Sequence, residues 1–223
     1  MFRRNGAMSK AKKRWIILLS IFIGVILAAS LTFYFVFDVK NWQKLDASKL
    51  TVLAQTSTLY DRQENIITTL KGSENRTLVA IDDIPLHTQQ AFIAAEDVRF
   101  YEHSGIDVYR IFGALRSNLQ SGSLAEGAST ITQQLAKLTH LSSEKTLRRK
   151  LEEIYLAFQI ERTYSKNEIL TMYLNTVYFG RGAYGIQAAA QAYFGVDAKD
   201  LTVAQSACLA AIIKAPSVYA PHI

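Results

Sequence analysis

A single cysteine, Cys208, means that no disulfide can close within the chain. It lies in QSACLAAII, where a small buried hydrophobe is expected rather than a nucleophile. The folded part must therefore hold together through its apolar core. Proline is nearly as scarce, with only Pro85, Pro216 and Pro221, and the texture beyond IDDIPL is that of helices. Acidic residues are missing altogether before Asp38. The bases Arg3, Arg4, Lys10, Lys12, Lys13 and Arg14 consequently account for the whole formal net charge of +6. Past them acids and bases balance, which argues against a nucleic-acid partner. Internal repeats and low-complexity stretches are also absent.

The longest stretch without charge is WIILLSIFIGVILAASLTFYFVF, Trp15 to Phe37. About 20 apolar residues suffice to cross a bilayer as a helix. Trp15 opens the run and Phe33, Tyr34, Phe35 and Phe37 close it, as interfacial aromatics do. A cleaved signal peptide would have an apolar region of only about 7–15 residues. Here the run continues past AAS at Ala28–Ser30, which resembles a cleavage site. The reading is an uncleaved single-pass anchor. The basic head favours a cytoplasmic N-terminus, which places everything after Asp38 outside the cytoplasm. Residues 1–14 form the basic tail, 15–37 the transmembrane helix, 38–57 a polar stalk and 58–223 the external domain.

Within that domain, STLYDRQENIITTL alternates apolar and polar residues around DRQEN, which predicts a small β-hairpin. Thr130–Gln133, Ser165–Glu168 and Thr202–Gln205 fit the capping box that starts a helix. Gly105, Gly122, Gly127, Gly180, Gly182 and Gly195 punctuate the ends. The expected class is mainly α, with a small hairpin.

Three stretches carry candidate chemistry. In AAEDVRFYEHSG, a helix beginning near His87 places Glu96 on an apolar stripe with Phe92, Ile93 and Phe100, while Asp97 points about a quarter turn away. A carboxylate between apolar walls suits a general base. Pairing with Arg99, or capping the His103–Gly105 turn, would explain Glu96 structurally, and this stretch alone does not choose. Glu102 and His103 lack a second histidine at metal-ligand spacing.

In GASTITQQLAK, the capping box accounts for Thr130 and Gln133 without any function. Thr130, Gln133, Gln134 and Lys137 nevertheless share one polar helix face. Free N–H groups at a helix start, hydroxyls and a lysine together suit a phosphate, although such faces are often merely solvated. In LRRKLEEIYLAFQIER, Leu147, Leu151, Ile154 and Phe158 form a core stripe, and Leu156, Ala157 and Ile160 grease the opposite side. A helix apolar on both sides is expected to be buried. Glu153 falls on that second side, one turn after Arg149 and Lys150, whereas Glu152 points to solvent. Base before acid is the weaker order for an isolated helix, which favours a binding or catalytic cluster; a buried structural ion pair is the alternative.

In order, EDVRFYEHSG, GASTITQQLAK, RKLEE and KNEILTMYLNTVYFGRGAYGIQAAAQAYFG resemble the successive motifs of the peptidoglycan glycosyltransferases, family 51. These enzymes occur in class A penicillin-binding proteins and as monofunctional transglycosylases. The resemblance runs from about Leu59 to the end of the chain. It implies a lysozyme-like helical fold with a membrane-facing jaw, and a reaction that polymerises lipid II into β-1,4-linked glycan with release of undecaprenyl diphosphate. On that pattern Glu96 is the base on the acceptor sugar hydroxyl. Glu153 assists the departing diphosphate, directly or through a divalent cation such as Mg2+ or Mn2+; no organic cofactor is implied. Ser129, Thr130, Gln133, Gln134, Lys137, Arg149 and Lys150 would line the donor and diphosphate site. Asp97 would orient Glu96 or the substrate, Phe100 and His103 would shape the pocket, and Asn175 of the fourth motif joins the substrate-binding set. Lipid II, the growing strand, membrane lipid and other cell-wall synthesis and division proteins are the implied partners.

The departures are Gly113, where many members carry an arginine that Arg110 or Arg116 would have to replace, and Ala128 in place of a second glycine. Ser142–Lys145 matches SxxK and Ser73–Asn75 matches SxN, but neither KTG nor KSG occurs, so both matches read as chance. The chain stops at APHI, where a bifunctional member would continue toward a transpeptidase. The rival readings are a lytic transglycosylase or muramidase of the same fold class, and a non-enzymatic envelope scaffold.

Overall fold

The structure is a computed structural model that describes residues 10–54, 57–70, 75–121, 127 and 129–219. It divides into two compact units, Met1–Trp42 and Gln43–Ile223. Arg3, Arg4, Ala128, Gly122 and the first two residues of Ser73–Asn75 lie outside the described residues.

The first unit is built on helix α1, Lys10–Val36. At about 1.5 Å per residue, its 27 residues outreach a hydrocarbon core of about 30 Å. Its apolar side chains are exposed from Trp15 onward, and two of its hydroxyls fold back onto the backbone: Ser20 donates to the Ile16 carbonyl and Thr32 to that of Ala28, both at 2.9 Å. Folding hydroxyls back onto the helix is what an apolar surround requires. The helix starts earlier than Trp15, inside the basic stretch, because lysine and arginine are good helix formers.

The second unit begins with short helix α2, Ser48–Thr51, then strands β1, Ser57–Tyr60, and β2, Ile66–Leu70. The strands pair antiparallel, with Thr58 opposite Thr69. Asp61 fixes their turn by accepting the N–H groups of Gln63 and Asn65, each at 2.8 Å. Helices then follow: α3 Leu86–Glu96, α4 Val108–Ser121, α5 Ile131–His140, α6 Leu147–Thr163, α7 Lys166–Thr176, α8 Ile186–Phe194, α9 Val203–Ile212 and α10 Pro216–Tyr219. The expected capping boxes start α5, α7 and α9. Thr146 caps α6 by accepting the Arg149 N–H, and Gly195 ends α8 at φ 66°.

Helix α5 packs on both α6 and α7, and α3 lies against α9. Between them Phe92, Phe100, Leu135, Leu156, Ile160, Leu170 and Tyr173 form a closed core. One glycine is dictated by close approach. At Gly185, with φ 81°, a Cβ would sit 2.8 Å from the Asn175 carbonyl oxygen.

Two expectations change. The stretch 38–57 is not a stalk throughout: Leu50 is buried in the core of the second unit, and Leu45 packs against that core. Asp46 donates its N–H to His140 Nε2 at 3.0 Å. The larger change is on α6. Its buried stripe is Glu153, Leu156, Ala157 and Ile160, while Leu147 is 67 % exposed and Phe158 40 %. The assumed core stripe faces outward, because α5 covers the side that carries the glutamate.

Candidate active site

Glu96 is the last residue of α3 and is half-buried. Beside it opens a cleft of about 560 Å3 lined by Ala95 and Glu96, by Arg110 and Ala114 of α4, by Gly127 and Ser129, by Gln134 and Lys137 of α5, and by Ile213 and Lys214 beyond α9. Phe92 and Phe100 are fully buried in the core. Glu96 thus looks into a polar, cation-lined cleft instead of between the expected dry walls. Arg110 also holds the end of α3, donating to the Glu96 carbonyl. Asp107 aims Arg110 by accepting the first turn's N–H from it at 2.9 Å and by pairing with Arg99. Burial works against charge on Asp107, but Arg99 and the Arg110 N–H outweigh it and hold the carboxyl below its usual range.

The two adjacent glutamines of α5 divide the two glutamates between them. Gln134 Nε2 donates to Glu96 Oε2 at 2.6 Å. Gln133 Nε2 donates to Glu153 Oε1 at 3.3 Å. Neighbours on a helix are about 100° apart, so α5 stands between the carboxylates and touches each with one residue. Glu153 is almost fully buried and is held on both oxygens, by Arg149 at 2.8 Å and by Lys150. Lys150 reaches on to Ser129 Oγ at 2.7 Å, and Ser129 lines the cleft. The cluster behind Ser129 is therefore an ion-pair network that touches the cleft edge through Lys150. Glu152 belongs to a separate pair, with Arg148 at 3.2 Å.

The start of α5 is not open to an anion. Asp97 accepts the Ile131 N–H at 3.0 Å, and Thr130 Oγ1 accepts that of Gln133 at 3.2 Å. Thr130, Ile131, Thr132 and Gln133 are all buried, so Thr130 and Gln133 belong to the framework, and the described residues of this motif that reach the cleft are Gly127, Ser129, Gln134 and Lys137. Asp97, expected a quarter turn from Glu96, is fully buried. Its two oxygens also receive His103 Nε2, each at 3.0 Å, while His103 Nδ1 accepts the Gly105 N–H at 3.2 Å. Thr130 closes the loop by donating to the Gly105 carbonyl at 2.6 Å. Gly105, at φ 101°, lies against α6 where a Cβ would be 3.2 Å from the Ala157 backbone. These contacts clip the end of α3 to the start of α5 and thereby set Glu96 opposite Gln134.

Phe100 packs in the core beside His103. Asn175 lies outside the cleft: its side chain clasps Val79, accepting that N–H at 3.0 Å and donating to that carbonyl at 2.9 Å. Gly113 is on the exposed side of α4, with nothing within 4 Å of where a Cβ would sit, and Arg110, not Arg116, is the α4 cation in the cleft. Ser142–Lys145 is an exposed loop. Among the described residues no cluster of three metal-ligating side chains occurs. The sequence reading missed Lys214, whose only local signal is its place before Pro216, and Tyr173, which sits two residues before Asn175. Tyr173 donates its hydroxyl to Gln134 Oε1 at 3.2 Å.

Residues 63–223 match the family model described as Transglycosylase. Penicillin-binding protein 1A/1B of Bacillus subtilis is 47 % identical over 98 % of this chain and 23 % of its own length. Penicillin-binding protein 1F of the same organism is 49 % identical over 79 % of this chain and 24 % of its own length. Penicillin-binding protein 1A of Streptococcus oralis is 44 % identical over 95 % and 33 %. The chain thus spans between about a quarter and a third of these relatives. A crystal structure of penicillin-binding protein 1A from Haemophilus influenzae aligns at TM-score 0.35 and 23 % identity, over 74 % of this chain and 15 % of that one. The family match takes in Glu96, Glu153, the helix between them and every residue of the cleft, and on it the chain belongs to the transglycosylase family, the peptidoglycan glycosyltransferases.

Proposed function

We propose that this chain polymerises lipid II into β-1,4-linked glycan and releases undecaprenyl diphosphate. The observation that carries the reading is that, among the described residues, Glu96 is the one carboxylate lining a cleft whose other charged groups are the cations Arg110, Lys137 and Lys214. Glu96 takes the proton of the acceptor sugar hydroxyl as that oxygen attacks the donor's anomeric carbon. The bond from that carbon to the diphosphate breaks, and the cations balance the departing charge. Glu153 acts at one remove: it keeps Arg149 and Lys150 in place, and Lys150 with Ser129 borders the diphosphate. A glycan hydrolase handles no such anion, so the cations count against the lytic reading.

The residues present do not suit a divalent cation. Both oxygens of Glu153 are already taken by Arg149, Lys150 and Gln133, and Asp97 is consumed by His103 and Ile131.

The lipid part of the substrate has a surface to meet. Tyr109 and Phe112 of α4 are 79 % and 66 % exposed, and Leu147 and Phe158 extend the apolar surface on α6. We take this surface to face the outer leaflet, with α1 crossing the membrane and its basic end inside. Incubation of the purified chain with labelled lipid II, and separately with finished peptidoglycan, tests the assignment. Polymer from lipid II and no digestion of peptidoglycan is expected; release of fragments from peptidoglycan, or no polymer, overturns it.

A further inference from the structure

We propose that Tyr173 is a positioning residue: its hydroxyl holds Gln134 with the amide NH2 turned to Glu96, and so fixes the carboxylate for proton abstraction. This rests on the reading of Glu96 as the base. Tyr173 is fully buried on α7 among Leu170, Leu174 and the other core side chains, where a phenylalanine would fill the same space. What the hydroxyl adds is one contact, to Gln134 Oε1 at 3.2 Å, and the other end of that amide gives Nε2 to Glu96 at 2.6 Å.

A primary amide has an acceptor at one end and donors at the other. With the tyrosine donating to the oxygen, the nitrogen faces the carboxylate; the reversed amide would set two acceptors together. Burial, with the nearby charges of Glu96 and Asp97, pushes Tyr173 well above its ordinary value, so the hydroxyl remains a donor. The neighbouring residue shows the same device with a different anchor. Gln133 Oε1 accepts the Thr130 N–H at 3.1 Å while its Nε2 goes to Glu153. Each glutamine thus has its oxygen pinned and its nitrogen spent on a glutamate. Gln133 is pinned by backbone, Gln134 by Tyr173.

The test is Tyr173→Phe in the full chain, alone and combined with Gln134→Ala, read in two ways. In polymerisation, Tyr173→Phe should lower kcat roughly 3- to 10-fold, the worth of one neutral hydrogen bond, with KM unchanged. In the Gln134→Ala background the same change should cost less than about 2-fold, since coupled residues are not additive. An unchanged kcat, or an equal loss in both backgrounds, overturns the proposal. The second reading needs no activity: in a chain labelled with 15N-glutamine, the Gln134 side-chain NH2 signals, assigned by Gln134→Ala, should move in Tyr173→Phe and in Glu96→Gln. Signals that stay put in Tyr173→Phe overturn the contact. Failure of the unmodified chain to polymerise lipid II would sink the functional reading instead, and the spectrum would still decide the role of Tyr173.

Discussion

Glu96 and Glu153 each receive an amide from α5, yet they occupy opposite kinds of environment. Glu96 ends a helix, is half open, and has Gln134 as its side-chain donor. Glu153 sits in mid-helix, almost fully buried, with two cations and Gln133 on its oxygens. A group meant to take up a proton must keep a face toward the substrate, whereas a group meant to hold cations works best surrounded by them. On the function proposed above, the difference would separate chemistry from scaffolding, although both residues are glutamates in apolar helical sequence.

The sharpest way to test that division is to neutralise each carboxylate in turn. Glu96→Gln should cost about 10²–10⁴-fold in glycan formation, the range for loss of a general base, with the melting temperature near that of the parent chain. Glu153→Gln should damage the fold as well, because Arg149 and Lys150 lose their counter-charge. Breaking a buried pair costs about 3–5 kcal/mol. The Lys150 side chain is 36 % exposed, so solvent screening reduces this to about 1–3 kcal/mol, or roughly 3–10 °C in the melting curve of a domain this size. Equal melting losses for the two variants would erase the distinction.

A milder probe reaches only the open side. Lys137 is exposed and lines the cleft, so Lys137→Ala should leave melting unchanged and slow polymerisation at low lipid II by about 10- to 100-fold, as loss of a charge-assisted contact does. Native kinetics would mean that this side of the cleft is simply solvated.

The smallest effect concerns the segment around Asp46, which contacts neither glutamate in the hydrogen bonds it makes to His140. His140 is pushed below its ordinary value by burial and by Lys49, with Asp46 opposing. Its Nε2 accepts the Asp46 N–H, while Nδ1 meets Thr139 at 2.7 Å. The folded state therefore prefers the neutral ring. The stability that it confers is full above the unfolded value, about 6.5, and is lost as pH falls through that value toward the folded one. Melting between pH 7.5 and 5 should show this loss, and His140→Gln should flatten the slope. An unchanged slope would assign the pH dependence to other groups.

Much of this was legible in the chain itself. The long apolar helix, the hairpin and the three capping boxes depend on residues a few positions apart; the hairpin and the boxes lie where their spacing put them, and the helix begins five residues before Trp15. The four ordered motifs also led to the transglycosylase family, which the family match shows. The division of labour inside those motifs was not legible. Thr130, Gln133 and Gln134 share a polar face, yet only Gln134 reaches the cleft, because Asp97 and His103 close over the start of α5. Lys214 is far from the motif residues in sequence and joins them through the packing of α3 on α9.

By itself, then, the sequence determined where the capped helices start, where a helix long and apolar enough to cross a membrane lies, and which residues share a helix face, since all of these follow from contacts within a turn or two of backbone. Only the tertiary structure decided which face of α6 turns inward. Apolar residues lie on both sides of that helix, so burying either was open to it until α5 covered the side with Glu153, Leu156 and Ile160. In the same way, it is the tertiary structure that makes Asp97 a cap for α5, because a buried helix start must find its acceptors elsewhere in the chain.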